Sequence, residues 1–387
     1  MSLIYILLRR IIEKNLRKKF SGSLKIIFPD NYEILLGEEK DAIIVHIYKN
    51  IFILRIFFCS FSEYGYSYAK GEWGTNNLAE FLELALLNMP LIRSFSVTKR
   101  FMISVQSLRN FIQNNTIAKS KKQISMHYDL GNNFYEKWLD KSMTYSSGIF
   151  NDNNTTLYSA QNNKYKSLID LAGIKKKHNV LEIGCGWGGF MKYVNAHVGS
   201  NITGITISKN QYEALKSNNS DNFKVQFTDY RKIDNVYDRI VSIEMFEAVG
   251  RKNWNKYFKI LNKSLVNKGC VALQIITIEE EYYPAYKNNK DFIQKYIFPG
   301  GMLPTKRLIE DYARKHKLRL IKQKSFGLDY AKTLRIWHQN FLEKWHEIEK
   351  LGYNETFKKL WEYYLCYCEA GFRHKSIDVT QFILNKE

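Results

Sequence analysis

Residues 3–19 place Ile4, Leu7, Leu8, Ile11 and Ile12 at helical spacing, opposed by Arg9, Arg10, Lys14, Arg17 and Lys18. That is the pattern of an amphipathic helix. Such a helix either packs on its own domain or lies in a membrane interface with its apolar stripe among the acyl chains. Residues 24–61 alternate apolar and polar positions, with turns at Pro29-Asp30-Asn31 and near Gly37, so strands are expected there. The apolar stretch Ile43–Phe61 is interrupted by His46, Lys49 and Arg55. A membrane span needs roughly 20 apolar residues, so the stretch reads instead as two strands of a hairpin. Residues 76–114 carry a helical period, and 115–122 is polar and aperiodic. The reading is a small α+β domain over 1–114, a linker at 115–122 and a second domain over 123–387.

In the second domain the pattern becomes strand–helix alternation. Short apolar strands are expected at 180–183, 201–207, 223–227, 238–243 and 270–277. Strands separated by helical segments of about 10–15 residues imply a parallel sheet with right-handed crossovers, a doubly wound α/β domain.

Composition narrows the picture. The 387 residues suffice for two domains, and 45% hydrophobic with 25% charged residues excludes a disordered chain. Aromatics are plentiful, with 26 Tyr, 24 Phe and 7 Trp, enough to build large cores or line an apolar tunnel. The net charge of +20 draws a protein to polyanions, nucleic acid or an anionic membrane, although abundant Lys, Asn and Ile also fit a compositional drift. Five cysteines, an odd number, imply no disulfide framework and a reducing cytoplasm. Cys366-x-Cys368 has no second Cys/His pair at matching spacing, so no metal site is expected. The start of the chain lacks a small-residue cleavage site, so no signal peptide is read there.

The segment Val180-Leu181-Glu182-Ile183-Gly184-Cys185-Gly186-Trp187-Gly188-Gly189 runs an apolar strand into four glycines and then a helix. Gly184 and Gly186 permit a tight turn and close approach of a ligand to the backbone. The spacing is E-x-G-x-G-x-G-G, without the phosphate cradle of a dinucleotide loop. It resembles motif I of the class I methyltransferases, which implies a Rossmann-like fold and S-adenosylmethionine over the loop residues Gly184, Cys185, Gly186, Trp187 and Gly188. Glu182 then orients the ligand amine or the loop. The second strand ends Thr206-Ile207-Ser208, with Gln211 one turn on, where this class commonly has an acidic residue for the ribose. Hydroxyls and an amide are expected to serve instead. Asp229 and Tyr230, after the third strand, are candidates for the adenine edge and face.

Five further segments occur in order: His127-Tyr128-Asp129-Leu130-Gly131-Asn132, Met143-Thr144-Tyr145-Ser146-Ser147, Glu244-Met245-Phe246-Glu247-Ala248-Val249-Gly250, Tyr296-Ile297-Phe298-Pro299-Gly300-Gly301, and Tyr363-Tyr364-Leu365 followed by Cys368-Glu369-Ala370-Gly371-Phe372-Arg373. Together they resemble the cyclopropane fatty acid and mycolic acid cyclopropane synthases over about 123–384. The resemblance implies transfer of a methylene from S-adenosylmethionine to a cis double bond in a phospholipid acyl chain, with Tyr145 and Ser146 joining the cofactor set. An alkene is a weak nucleophile, so the methyl must be held in line and close. Attack leaves a cation on the chain, which aromatic faces stabilise; Tyr296, Phe298 and Trp187 are candidates.

The resemblance further implies a bound bicarbonate as general base, held by Glu247, Tyr330 and the backbone at Ser147 and Ile276. Three positions depart from the family. Ser147 stands for Cys, Ala248 for a His, and Gln274 for the His beside the anion. Gln hydrogen-bonds an anion but takes up no proton. Cys368 matches a cysteine suspected of catalysis in the family, although its aromatic neighbours suggest a buried, inert thiol. The substrate implies a cytoplasmic protein held peripherally on the inner face of a membrane. Residues 287–335, with thirteen Lys/Arg against four Asp/Glu and interleaved Phe292, Tyr296, Ile297, Phe298, Met302 and Leu303, are the expected docking segment. The N-terminal domain would engage lipid or form a homodimer. Two alternatives keep the fold: a methyl- or methylene-branched product, and an inactive lipid-binding homologue. A nucleic-acid methyltransferase would carry an Asn/Asp-Pro-Pro-aromatic element or a catalytic Cys where Glu244-Met245-Phe246-Glu247 stands, so no nucleic-acid partner is expected.

Overall fold

The structure, a computed structural model, describes residues 3–95 and 130–387. The expected linker at 115–122 and the residues His127, Tyr128 and Asp129 lie outside the described residues. The chain divides into two compact units. One takes in residues 1–130 with 290–299 and 345–374; the other comprises 131–289, 300–344 and 375–387. Sequence pattern had drawn 123–387 as one continuous block.

In the first unit, the helix Leu3–Lys19 buries Leu8, Ile12 and Leu16 along one stripe and leaves Leu3, Ile4 and Leu7 exposed. Four strands follow: β1 (Leu24–Ile27), β2 (Glu33–Leu36), β3 (Ile43–Ile47) and β4 (Trp73–Thr75). They form a sheet in the order β2-β1-β3-β4. The hairpin expected over 43–61 is not there. Only Ile43–Ile47 is a strand, and Ile51–Phe58 is a helix. A short, nearly continuous apolar run fits either period. Here Arg55, read as a break in the run, is buried and forked onto Glu72, with Nε–Oε2 at 2.7 Å and Nη2–Oε1 at 3.0 Å. The helical period expected over 76–114 is met by helices Leu78–Leu87 and Met89–Phe95 within the described residues.

The second unit holds a seven-stranded sheet: β5 (Asn179–Ile183), β6 (Asn201–Thr206), β7 (Phe223–Phe227), β8 (Tyr237–Ile243), β9 (Leu265–Ile278), β10 (Leu318–Ser325) and β11 (Ile377–Lys386). The order is β10-β11-β9-β8-β5-β6-β7. β7, β6, β5, β8 and β9 pair in parallel, as the strand–helix alternation requires. β11 inserts antiparallel against β9 and β10, a pair that sequence pattern did not reveal. Alternate residues feed two cores, one on each face. Leu181, Ile240, Leu273 and Phe382 pack on one side; Val180, Val241, Ala272 and Ile383 pack on the other with Tyr165 and Leu168. The period of two therefore puts Gln274 of β9 and Gln381 of β11 on the same face as the helix Leu157–Ala172. Chain order reverses between β5 and β8, and the crevice at such a reversal is where open α/β sheets bind ligands.

Candidate active site

β5 runs into a loop where Gly184, Gly186 and Gly188 have φ of 80°, 54° and 78°, left-handed values that glycine adopts without penalty. A Cβ at Gly184 would lie 2.7 Å from Met245 Cγ, and one at Gly188 2.8 Å from Leu215 Cδ2, whereas one at Gly186 would meet nothing within 4 Å. The loop is thus packed below and open at Gly186. The helix Gly189–His197 begins directly after it, aiming its free N–H groups and positive dipole end at the same place. This architecture fits S-adenosylmethionine.

Glu182 is buried in β5, and burial holds its carboxyl well above the usual carboxylate range against the pull of Lys164. Cys185 is likewise buried, and burial pushes its thiol up. Trp187 Nε1 donates to Asn132 Oδ1 at 2.8 Å. Its ring lies 5.1 Å from Tyr135, Tyr135 lies 5.3 Å from Tyr145, and Tyr145 lies 5.2 Å from Trp337, making a continuous aromatic row. At the end of β6, Thr206 Oγ1 donates to Gln211 Oε1 at 2.7 Å and accepts the Ser208 N–H at 3.0 Å; Ser208 Oγ caps the helix Lys209–Leu215. These three expected cofactor residues therefore form one polar edge. Asp229 and Tyr230 are engaged within the chain. Arg231 forks onto the Asp229 carboxylate at 2.6–2.8 Å and lowers its proton affinity, and Tyr230 packs 5.3 Å from Tyr257.

Beside the glycine loop, through Met245, two carboxylates converge. Glu244, at the end of β8, accepts three hydrogen bonds. The Ser147 N–H reaches Oε1 at 2.9 Å, Gln274 Nε2 reaches Oε1 at 2.8 Å, and the Tyr330 hydroxyl reaches Oε2 at 2.6 Å. Glu247 Oε1 accepts the Ile276 N–H at 2.5 Å, while its Oε2 is buried with no partner among the described residues. The orientation of Gln274 is fixed from behind. Gln381, its register partner on β11, donates to Gln274 Oε1 at 3.1 Å and itself accepts from Ser167 at 2.7 Å. Lys164, buried in the helix Leu157–Ala172, donates to Ser146 Oγ at 2.5 Å and Gln161 Oε1 at 2.6 Å.

Electrostatics assign the protons. Burial pushes Glu247 up to about 8, with the neighbouring Glu244 charge adding to it. Burial also raises Glu244, but its Tyr330 bond, Lys164, Gln274 and Ser147 all pull it back. Of the two, Glu247 is the carboxyl biased toward holding a proton, while the three donors favour the charged form of Glu244. Burial brings Lys164 down to about 7, with Glu244 the largest of the charges that oppose the fall.

Sequence reading had brought forward Glu247, Gln274, Tyr330, Ser147 and Ile276, and these five do meet in one place. It missed Glu244 and Lys164. Glu244-Met245-Phe246-Glu247 displayed two carboxylates three apart at a strand end, yet only the second received a role. Glu244 is also a non-glycine residue at φ 50°, a conformation costing roughly 1–2 kcal/mol. Such strain clusters at functional sites.

Other expected residues fall in the first unit. Cys368 sits on the helix Glu355–Arg373, and burial pushes its thiol up, away from the thiolate of an activated nucleophile. Phe292 and Tyr296 are buried, not free to enter lipid; the Tyr296 ring stacks 5.3 Å from Tyr66 and its hydroxyl donates to Glu63 at 3.0 Å. Phe298 keeps 41% exposure.

Comparison with known proteins places this arrangement. A family model described as mycolic acid cyclopropane synthetase matches residues 115–382. The tuberculostearic acid methyltransferase UfaA1 of Mycobacterium tuberculosis is 34% identical, over 84% of this chain and 78% of its own. The cyclopropane-fatty-acyl-phospholipid synthase of Escherichia coli K12 is also 34% identical, over 83% of this chain and 82% of its own. Among solved structures, the mycolic acid cyclopropane synthase CmaA1 complexed with S-adenosylhomocysteine matches 68% of this chain and 97% of its own, with 29% identity and a TM-score of 0.63.

Proposed function

We propose, from the premise that this chain belongs to the mycolic acid cyclopropane synthetase family, that it adds a methylene to the cis double bond of an acyl chain in a membrane phospholipid, giving a cyclopropane. The chain is an S-adenosylmethionine-dependent methyltransferase on a doubly wound α/β fold; the substrate and the ring are the proposal. S-adenosylmethionine, when bound, supplies an electrophilic methyl on a sulfonium. The open face at Gly186 receives it, Glu182 and the Thr206–Ser208–Gln211 edge orient it, and the Trp187–Tyr135–Tyr145 row gives a cation-stabilising wall. One observation carries the reading: a partly buried carboxylate pair, supplied with oriented donors, abuts the glycine loop through Met245. A base beside the methyl is what ring closure needs and simple methylation of a heteroatom does not.

Expression in a host lacking its own ring-forming activity, followed by mass spectrometry of the lipids, tests it. A product of added mass 14 that survives mild hydrogenation supports the ring. One of added mass 14 that takes up hydrogen is a methylene branch and one of added mass about 16 a methyl branch; a branched product is the second reading, which the resemblance to a tuberculostearic acid methyltransferase favours. Membrane docking is part of the same proposal. No helix among the described residues is long and apolar enough to cross a bilayer. The helix Leu3–Lys19 exposes Leu3 by 81% and Leu7 by 58% beside basic residues, which suits an anionic surface. Co-sedimentation with anionic but not zwitterionic vesicles is the expected result.

A further inference from the structure

The family resemblance implies bicarbonate as the base, and the donors expected to hold it are all present. Each already donates to a carboxylate of the chain. The Ser147 N–H, Gln274 and Tyr330 hold Glu244, and the Ile276 N–H holds Glu247. A bicarbonate placed among them would find its donors taken and two acidic side chains facing it. The residues do not fit that anion. We propose that the Glu244 carboxylate is itself the base that takes the methyl proton, so that this chain works without bicarbonate. The proposal rests on the functional reading above.

The surroundings of Glu244 suit the task. Two oxygens and three donors fix its plane, and Gln274, locked by Gln381 and Ser167, donates to it without competing for a proton. Lys164 supplies the opposing charge. The step balances. The alkene electron pair forms a bond to the methyl carbon as the carbon–sulfur pair leaves on sulfur. Glu244 then takes one proton from that carbon, and the freed C–H pair closes the third side of the ring. Glu244 is left neutral, beside Tyr330 for return of the proton. General-base assistance contributes on the order of 10²–10⁴-fold.

The test measures transfer of labelled methyl from S-adenosylmethionine to vesicles of unsaturated phospholipid, in CO2-free buffer and with bicarbonate added. The wild-type rate should agree within about twofold between the two. Glu244→Gln should lose about 100-fold or more and gain nothing from bicarbonate, while it remains folded and keeps its cofactor affinity. Glu244→Gly suits the left-handed backbone and vacates the space among the donors, so its lost activity should return with added bicarbonate. A wild-type rate that collapses without CO2 and recovers with bicarbonate overturns the proposal, as does a folded Glu244→Gln of near wild-type rate. If the wild type moves no methyl to lipid in either buffer, the functional reading fails instead. Binding of 13C-bicarbonate, followed by NMR, still decides the base: binding to the wild type overturns the proposal, and binding confined to Glu244→Gly supports it.

Discussion

Replacing Glu247 by Gln should make the protein more stable at alkaline pH. Glu247 Oε1 accepts one backbone hydrogen bond, its Oε2 is buried without a partner among the described residues, and the nearest charge is the like charge of Glu244. Burial therefore holds its carboxyl near 8, while in the unfolded chain it ionises near 4.3. Between those values the folded state keeps a proton that the unfolded state releases, so stability is full below about pH 4.3 and falls as pH rises toward 8. At about 1.4 kcal/mol per pH unit, the fall would reach on the order of 5 kcal/mol. Solvent reaches this half-buried residue, and halving for screening leaves about 2 kcal/mol. Gln is neutral throughout, and its carbonyl can still accept the Ile276 N–H. Urea denaturation from pH 5 to 9 should show the two proteins within about 1 kcal/mol at pH 5 and the variant ahead by about 2 kcal/mol at pH 8.5. Parallel curves across that range would refute the assignment of the proton to Glu247.

Tyr330→Phe removes a hydrogen bond to the charged form of Glu244, worth about 1.5–3 kcal/mol. The acid limb of the pH–rate profile should therefore move up by about 1–2 pH units; an unmoved limb would separate Tyr330 from the base. Gly186→Ala meets open space but fills the proposed cofactor face, so calorimetry should show at least about tenfold weaker S-adenosylmethionine binding with a melting temperature lowered only by the backbone strain, roughly 1–2 kcal/mol. Gly184→Ala adds a collision with Met245 to the same strain and should lower stability by a further 1–3 kcal/mol or so. In the first unit, Gly65→Ala drives a methyl into the buried rings of Phe292 and Tyr363, and denaturation should show a loss of roughly 1–3 kcal/mol.

What the sequence revealed of this molecule follows from which physical signals are local. The strand–loop–helix at 180–197 was legible because a parallel strand is a continuous apolar run and its loop must be glycine where φ is positive. The helix 51–58 was not, because Arg55 carries a charge whose partner, Glu72, lies 17 residues away; without that partner it reads as the polar break of a strand. β10 and β11 were missed for the same reason, since β11 follows the last helix of the first unit and pairs with β9 from a hundred residues further on. Residues 290–299 and 345–374 carry no mark of the unit they join, because that assignment is made by tertiary contacts alone.

The active site repeats the lesson at the scale of one side chain. Resemblance transfers roles to matching positions, and the five it named, Ser147, Gln274, Ile276, Tyr330 and Glu247, lie together around the two carboxylates. It gave no role to Glu244, the carboxylate that these donors hold. Gln274 looked like a loss, a His replaced by a residue that takes up no proton. With Glu244 in place the loss has a reason: a carboxylate fixed at that point needs a donor beside it, and an imidazole there would compete for the proton that Glu244 must take. Lys164, buried at the cost of a lowered proton affinity, belongs to the same cluster, since a buried anion is stabilised by an opposing charge beside it. Glu244, Gln274 and Lys164 are therefore best understood as one unit. Changing Glu244 alone should strand the lysine charge, whereas Glu244→Gly combined with Gln274→His should recover a bicarbonate-using site more fully than Glu244→Gly alone. A double variant no better than the single one would show that Gln274 and Glu244 are independent.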